Sequence, residues 1–116
     1  MVTMYGIANC DTIRKARRWL DEQSVDYRFH DYRKDGIDRA QLQTLADELG
    51  WENLLNRRGT TWRRLSDAER EGLNSDRAIA LLLQYPAMIK RPLLDTGSQR
   101  LLGFDAERYQ QVLQPA

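Results

Sequence analysis

The chain has 116 residues, 41% hydrophobic and 30% charged, which fits one hydrophobic core and leaves too little for two. Its 18 basic and 17 acidic residues leave a net charge of +1, which excludes a strong electrostatic pull toward nucleic acid or anionic lipid. No stretch approaches the roughly 18 apolar residues of a membrane span. No basic run followed by an apolar segment opens the sequence, so no signal peptide is expected.

The first segment, VTMYGI (2–7), is short, apolar and β-rich, as a buried strand is. From Cys10 the period changes. Ile13, Ala16 and Leu20 share one helical face, with Arg14, Lys15, Arg17 and Arg18 largely elsewhere. YRFHDY (27–32) then alternates as a second strand. A β-α-β opening favours a parallel pair joined by a right-handed crossover.

Helical patterns follow. Asp38 reads as an N-cap with Gln41 three residues on, and Ile37 and Leu42 occupy the positions of a hydrophobic staple. Leu42, Leu45, Ala46 and Leu49 form an apolar stripe that Gly50 ends. WENLLNR adds a short helix, and SDAE at Ser66 reads as a capping box. Ser75 is read as the cap of DRAIALLLQY, with Ile79, Leu82 and Leu83 as its core face and Pro86 as its stop. Residues 93–95 and 100–104 read as an antiparallel hairpin around Gly97-Ser98. Asp105 caps a closing helix with Tyr109, Val112 and Leu113 turned inward. The expected order is β-α-β, about four helices, then β-β-α: one domain over 1–116 with a helical insertion at about 38–88.

Cys10 is the only cysteine and His30 the only histidine. One cysteine excludes an internal disulfide and a multi-cysteine zinc site, and the simplest compartment is the reducing cytoplasm. Cys10 stands where the first strand gives way to the first helix. At such a junction a thiol meets unpaired helix N–H groups and the positive end of the helix dipole, both of which favour thiolate. Arg14, one turn on, is expected to add positive potential, and Asp11 to oppose it. The plain alternative is a small buried hydrophobe. The position favours a reactive thiol, and with Ile13 in place of a second cysteine it needs an external thiol to release it.

YGIANCDTIRKA, RGTTWRRL and IKRPLL with the following GF together resemble the arsenate reductase-like family (ArsC, Spx and YffB), and most the YffB branch. The resemblance runs nearly end to end. It implies a thioredoxin-like α/β fold with a mixed four-stranded sheet, β-α-β then β-β-α, and an inserted helical subdomain. It implies Cys10 as the catalytic cysteine, Arg91 before a cis-proline at Pro92, and an insertion arginine at Arg58, with Arg57 the neighbouring candidate. The arsenate reductases have a further arginine where this chain has Gly103. They also have a histidine shortly before the cysteine, where this chain has Gly6. Both departures weaken arsenate as the substrate. The Cys-x-x-Cys switch of the Spx regulators is absent.

Arg91 at a strand start has the fork geometry for a carboxylate or oxyanion, against the plain reading of a solvated arginine. NRRGTTWRRL interleaves four arginines with a tryptophan. The near-neutral chain favours a solvated face over a buried Trp62 rather than a nucleic-acid surface. His30 reads as structural, which leaves no Cys–His pair for acyl transfer. The expected activity is a glutathione-dependent thiol-disulfide reductase using Cys10, with Arg91 and Arg58 binding substrate and Arg14 and Pro92 supporting. Glutathione is expected as co-substrate, with no bound cofactor, no metal, and neither nucleic acid nor membrane as partner. The alternatives are an arsenate reductase and a non-enzymatic Spx-like regulatory module.

Overall fold

The opening apolar run folds as strand β1, Val2–Gly6, in a computed structural model of the protein, which describes residues 1–113. Helix α1, Asp11–Glu22, follows and buries Ile13, Ala16 and Leu20, the face that the 3.6-residue period selects. Strand β2, Tyr27–Asp31, lies parallel to β1, in register from Val2 opposite Tyr27 to Gly6 opposite Asp31. β3, Leu93–Asp95, pairs antiparallel with the other edge of β1, and β4, Arg100–Leu102, pairs antiparallel with β3. The sheet order is β2-β1-β3-β4. The closing helix runs from Ala106 to Leu113, with Asp105 Oδ1 accepting the Glu107 N–H at 3.0 Å.

Met4, Ile13, Ala16, Leu20, Leu94, Leu101 and Tyr109 form one buried cluster between the sheet and its helices. Trp19 and Phe104 meet the Tyr109 ring edge-on, at centroid distances of 5.8 and 5.1 Å. Burial pushes the Tyr109 phenol pKa up, and its hydroxyl donates to the Gly103 carbonyl at 2.9 Å, which satisfies a polar group inside the core. The fold is thioredoxin-like: a mixed four-stranded sheet built from a β-α-β and a β-β-α half.

The chain divides into two compact units, Met1–Asp35 with Arg91–Ala116, and Gly36–Lys90. The second is helical: α2 (Arg39–Leu49), α3 (Trp51–Leu54), α4 (Thr60–Arg64), α5 (Asp67–Arg70), α6 (Ser75–Gln84) and a 3-10 turn at Pro86–Met88. Ser66 and Glu69 complete the expected capping box. Asp38 caps α2 through Ala40 N–H at 3.1 Å. α4 was not anticipated, because its five residues are too few to display a period.

The cap of α6 is Asn74, not Ser75: the Asn74 side chain accepts from Arg77 N–H at 2.9 Å and Ser75 is already helical. Both residues are good caps, and the sequence offers them side by side. The core face of α6 is Ala78, Ile79, Leu81 and Leu82, while Leu83 is only half-buried. Asn74→Ala is expected to destabilise the protein by about 1 kcal/mol, the usual cost of a lost cap, and Ser75→Ala by clearly less. Urea denaturation of both variants checks this, and equal losses would return the cap to Ser75.

Candidate active site

β1 delivers the chain to the carboxyl edge of the sheet at Gly6, and α1 begins at Asp11. Gly6 permits this join. A Cβ at that position would lie 2.3 Å from Ile13 Cδ1, so the strand end and the first turn of α1 approach closer than a side chain allows. Cys10 is the N-cap residue of α1, with extended backbone at φ −146° and ψ 132°. Its N–H donates to the Ala8 carbonyl at 3.0 Å, and its own carbonyl accepts the Arg14 N–H at 3.0 Å as the first helical bond.

The half-buried Cys10 side chain packs against the edge of the core. Its side chain makes no cap bond. Ionised, it becomes the acceptor that the helix end lacks. Burial alone would push the thiol pKa up. The Ile13 N–H, the Arg91 guanidinium by hydrogen bond and by charge, and the Thr12 N–H outweigh that and hold it below its ordinary value. Arg91 stands two residues before β3, and the Arg91–Pro92 peptide bond is cis. Cys10, Arg91 and Pro92 therefore belong to one unit and meet at one end of the sheet.

Arg14 takes a different place from the one its spacing suggests. Its guanidinium reaches Asn9 Oδ1 at 3.2 Å and pairs with the Asp11 carboxylate. The cation acting on the sulfur is Arg91. Arg14, Lys15 and Arg18 also line an open cleft of about 410 Å³ with Asp11 and Thr12, a basic rim at the start of α1.

Arg57 and Arg58 are exposed residues of the helical unit. Together with Asn56, Leu55 and Lys90 they line a cleft of about 250 Å³. Arg57 lies over the Trp62 ring at 5.6 Å from its centroid, and the Arg58 N–H is held by Asn56 Oδ1 at 3.1 Å. Trp62 is half-buried rather than buried. Sequence reasoning missed Lys90; its signal was only its place beside Arg91. The His30 ring lies tilted against Tyr5 and edge-on to Tyr32, at centroid distances of 5.0 and 6.0 Å. Among the described residues no three His, Cys, Asp or Glu side chains gather as a metal site. No helix there is long and apolar enough to cross a membrane.

Because the thiol pKa is lowered, alkylation of Cys10 should reach half its limiting rate at a pH below the value of about 8.5 for an ordinary cysteine. Arg91→Ala is expected to move that midpoint up, and Arg14→Ala to move it less. Iodoacetamide kinetics against pH checks both, and equal shifts would show that Arg91 has no special hold on the sulfur.

Residues 5–112 match the family model described as ArsC family. A solved structure of a YffB protein is 48% identical, with a TM-score of 0.94 over 97% of this chain and 99% of that one. The solution structure of an arsenate reductase (ArsC) related protein from Brucella melitensis is 42% identical, with a TM-score of 0.78 over 97% of this chain and 94% of that one. The global transcriptional regulator Spx of Streptococcus pyogenes serotype M3 is 27% identical over 115 residues, 97% of this chain and 85% of its own length. With the family match covering nearly all of the residues that build sheet, helices and site, the chain belongs to the ArsC family.

Proposed function

We propose that the protein is a glutathione-dependent thiol-disulfide reductase acting through Cys10 alone. The observation that carries this reading is the Cys10 sulfur held at the N-terminus of α1 against the Arg91 guanidinium, with its pKa lowered. A thiolate, not a thiol, attacks a disulfide. In the first step Cys10 Sγ⁻ bonds to the glutathione sulfur of a mixed disulfide, and the substrate leaves as its thiolate. In the second, a glutathione thiolate attacks the glutathione sulfur on Cys10. Oxidised glutathione forms and Cys10 is released as thiolate. The net exchange consumes one free glutathione thiol, converting the mixed disulfide into the substrate thiol and oxidised glutathione, and no second cysteine exists to take part.

Arg91 binds a carboxylate of glutathione, for which its planar fork is suited. Arg58 is a further substrate-binding candidate, in the cationic cleft of the helical unit. Glutathione is then a co-substrate rather than a bound cofactor, and the reducing cytoplasm is where it would be supplied. Incubation with oxidised glutathione followed by mass spectrometry is expected to give a single adduct on Cys10 and none on Cys10→Ser. Arg91→Lys and Arg91→Ala should weaken glutathione use by about ten- to hundred-fold, the worth of one charge-assisted hydrogen bond, while leaving folding intact. Replacing exposed Arg18 serves as the control; if it and Arg91→Ala behave alike, the site is misplaced.

The similarity to an arsenate reductase related protein favours arsenate as a second reading. Against it stands Gly103, where the arsenate reductases are expected to carry another arginine. Its φ of 84° lies in the left-handed region, where an arginine would be strained. Arsenate turnover with glutathione should therefore be weak or absent, and efficient turnover would reverse the order of the two readings. The Spx relative favours a regulatory binding module. An unreactive Cys10 would favour that third reading over both enzymes.

A further inference from the structure

β2 ends on Asp31, and its carboxylate is shared between two stretches of backbone. Oδ2 accepts the Ala8 N–H at 3.2 Å. Oδ1 accepts the Arg33 N–H at 2.9 Å and, more weakly, the Lys34 N–H at 3.4 Å. The Asp31 backbone is fixed as well: its N–H donates to Asp35 Oδ2 at 2.9 Å, and its carbonyl accepts the Asp35 N–H at 2.7 Å. The Tyr32 N–H donates to the Gly6 carbonyl at 2.8 Å, which brings this turn to the end of β1.

Ala8 lies two residues before Cys10, on an exposed segment between the end of β1 and the start of α1. Its carbonyl takes the Cys10 N–H at 3.0 Å. The bonds therefore run from a rigid turn, through one carboxylate, to the backbone that carries the sulfur. Burial pushes the Asp31 carboxyl up, but the Arg33, Ala8 and Lys34 N–H donors and the Arg33 charge together outweigh it and hold the carboxyl below its usual range, so it is an acceptor throughout the neutral range.

We propose that Asp31 is the positioning residue of Cys10: by gripping Ala8 it keeps the sulfur in front of the Thr12 and Ile13 N–H groups and beside Arg91. The proposal rests on the reading of Cys10 as a nucleophile, but its test needs no glutathione. Two effects of Asp31 on the thiol have opposite signs. As a bare negative charge it would raise the thiol pKa, and its removal would lower it. As a latch it sustains the contacts that favour thiolate, and its removal raises the pKa.

The experiment is iodoacetamide alkylation of Cys10 against pH in the wild type, Asp31→Ala, Asp31→Asn and Asp35→Ala, each with a thermal melt. Asp31→Ala should move the midpoint upward and slow alkylation below the wild-type midpoint at least about threefold, the change that a half-unit displacement produces. Asp31→Asn keeps one acceptor oxygen for the two sets of donors, and should shift the midpoint the same way by less. Asp35→Ala loosens the turn but leaves the Ala8 bond, so it should lower the melting temperature without moving the midpoint. An unchanged or lowered midpoint in Asp31→Ala overturns the proposal, and so does an equal shift in Asp35→Ala. If Asp31→Ala is unfolded at the assay temperature, Asp31→Asn decides by the same criterion: a raised midpoint supports the latch, and an unchanged or lowered one overturns it. A raised midpoint with no glutathione transfer in the wild type would sink the functional reading and leave the latch standing. Transfer without a shift would sink the latch alone.

Discussion

The contact on which the site depends joins one sulfur to the open end of a helix. The first N–H groups of α1 have no carbonyl partners inside the helix, and the residue in front of them is Cys10. A serine or aspartate there would cap the helix and stop at that. The Cys10 side chain makes no cap bond, and the Ile13 and Thr12 N–H groups favour its ionised form over the neutral one. The helix end thus rewards ionisation rather than capping, and the Arg91 guanidinium adds to the same side. Burial works against both. The sulfur stays half-exposed, so that cost is limited and the group remains accessible to a reacting partner.

That contact sets conditions on distant parts of the chain. α1 must start close against the end of β1, which Gly6 allows and a Cβ would oppose through Ile13. β3 must lie beside β1, with Met4 opposite Leu94, for Arg91 to arrive at the same end of the sheet as Cys10. The core cluster supplies that register. Met4 and Leu94 are both buried in it with Ile13, so slipping β3 by one residue would turn Leu94 out of the cluster. The packing of a few apolar side chains accordingly fixes the position of a charge.

Most of the fold was legible because it is written in short periods. Alternating and continuous apolar runs marked all four strands, and Ile13, Ala16 and Leu20 marked the buried face of α1. The cap of α6 was misread because Asn74 and Ser75 are both competent and only backbone geometry separates them. α4 escaped notice because five residues show no period. The site was legible in part: the junction pointed to Cys10, and the family resemblance pointed to Arg91 and Pro92. The cation that acts on the sulfur was not, because helical spacing made Arg14 the nearest candidate, whereas Arg91 arrives through strand pairing, which no local pattern encodes. Lys90 and Asp31 were missed for the same reason. Their contributions lie in a cleft lining and in backbone hydrogen bonds, and neither leaves a motif.

Arg14 nevertheless bears on the thiol by another route. Asp11 follows Cys10 directly, and a carboxylate beside a thiolate would hold its proton on. The guanidinium of Arg14 pairs with that carboxylate and also reaches Asn9, the residue on the other side of Cys10. The pair is exposed, and its worth to folding is small. Its electrostatic consequence is local: the one negative side chain adjacent in sequence to the thiol is matched by a positive one. Arg91 then acts on the sulfur without an unmatched charge opposing it from Asp11. Two arginines divide the work that the sequence alone assigned to one: Arg91 meets the thiolate, and Arg14 answers its neighbour.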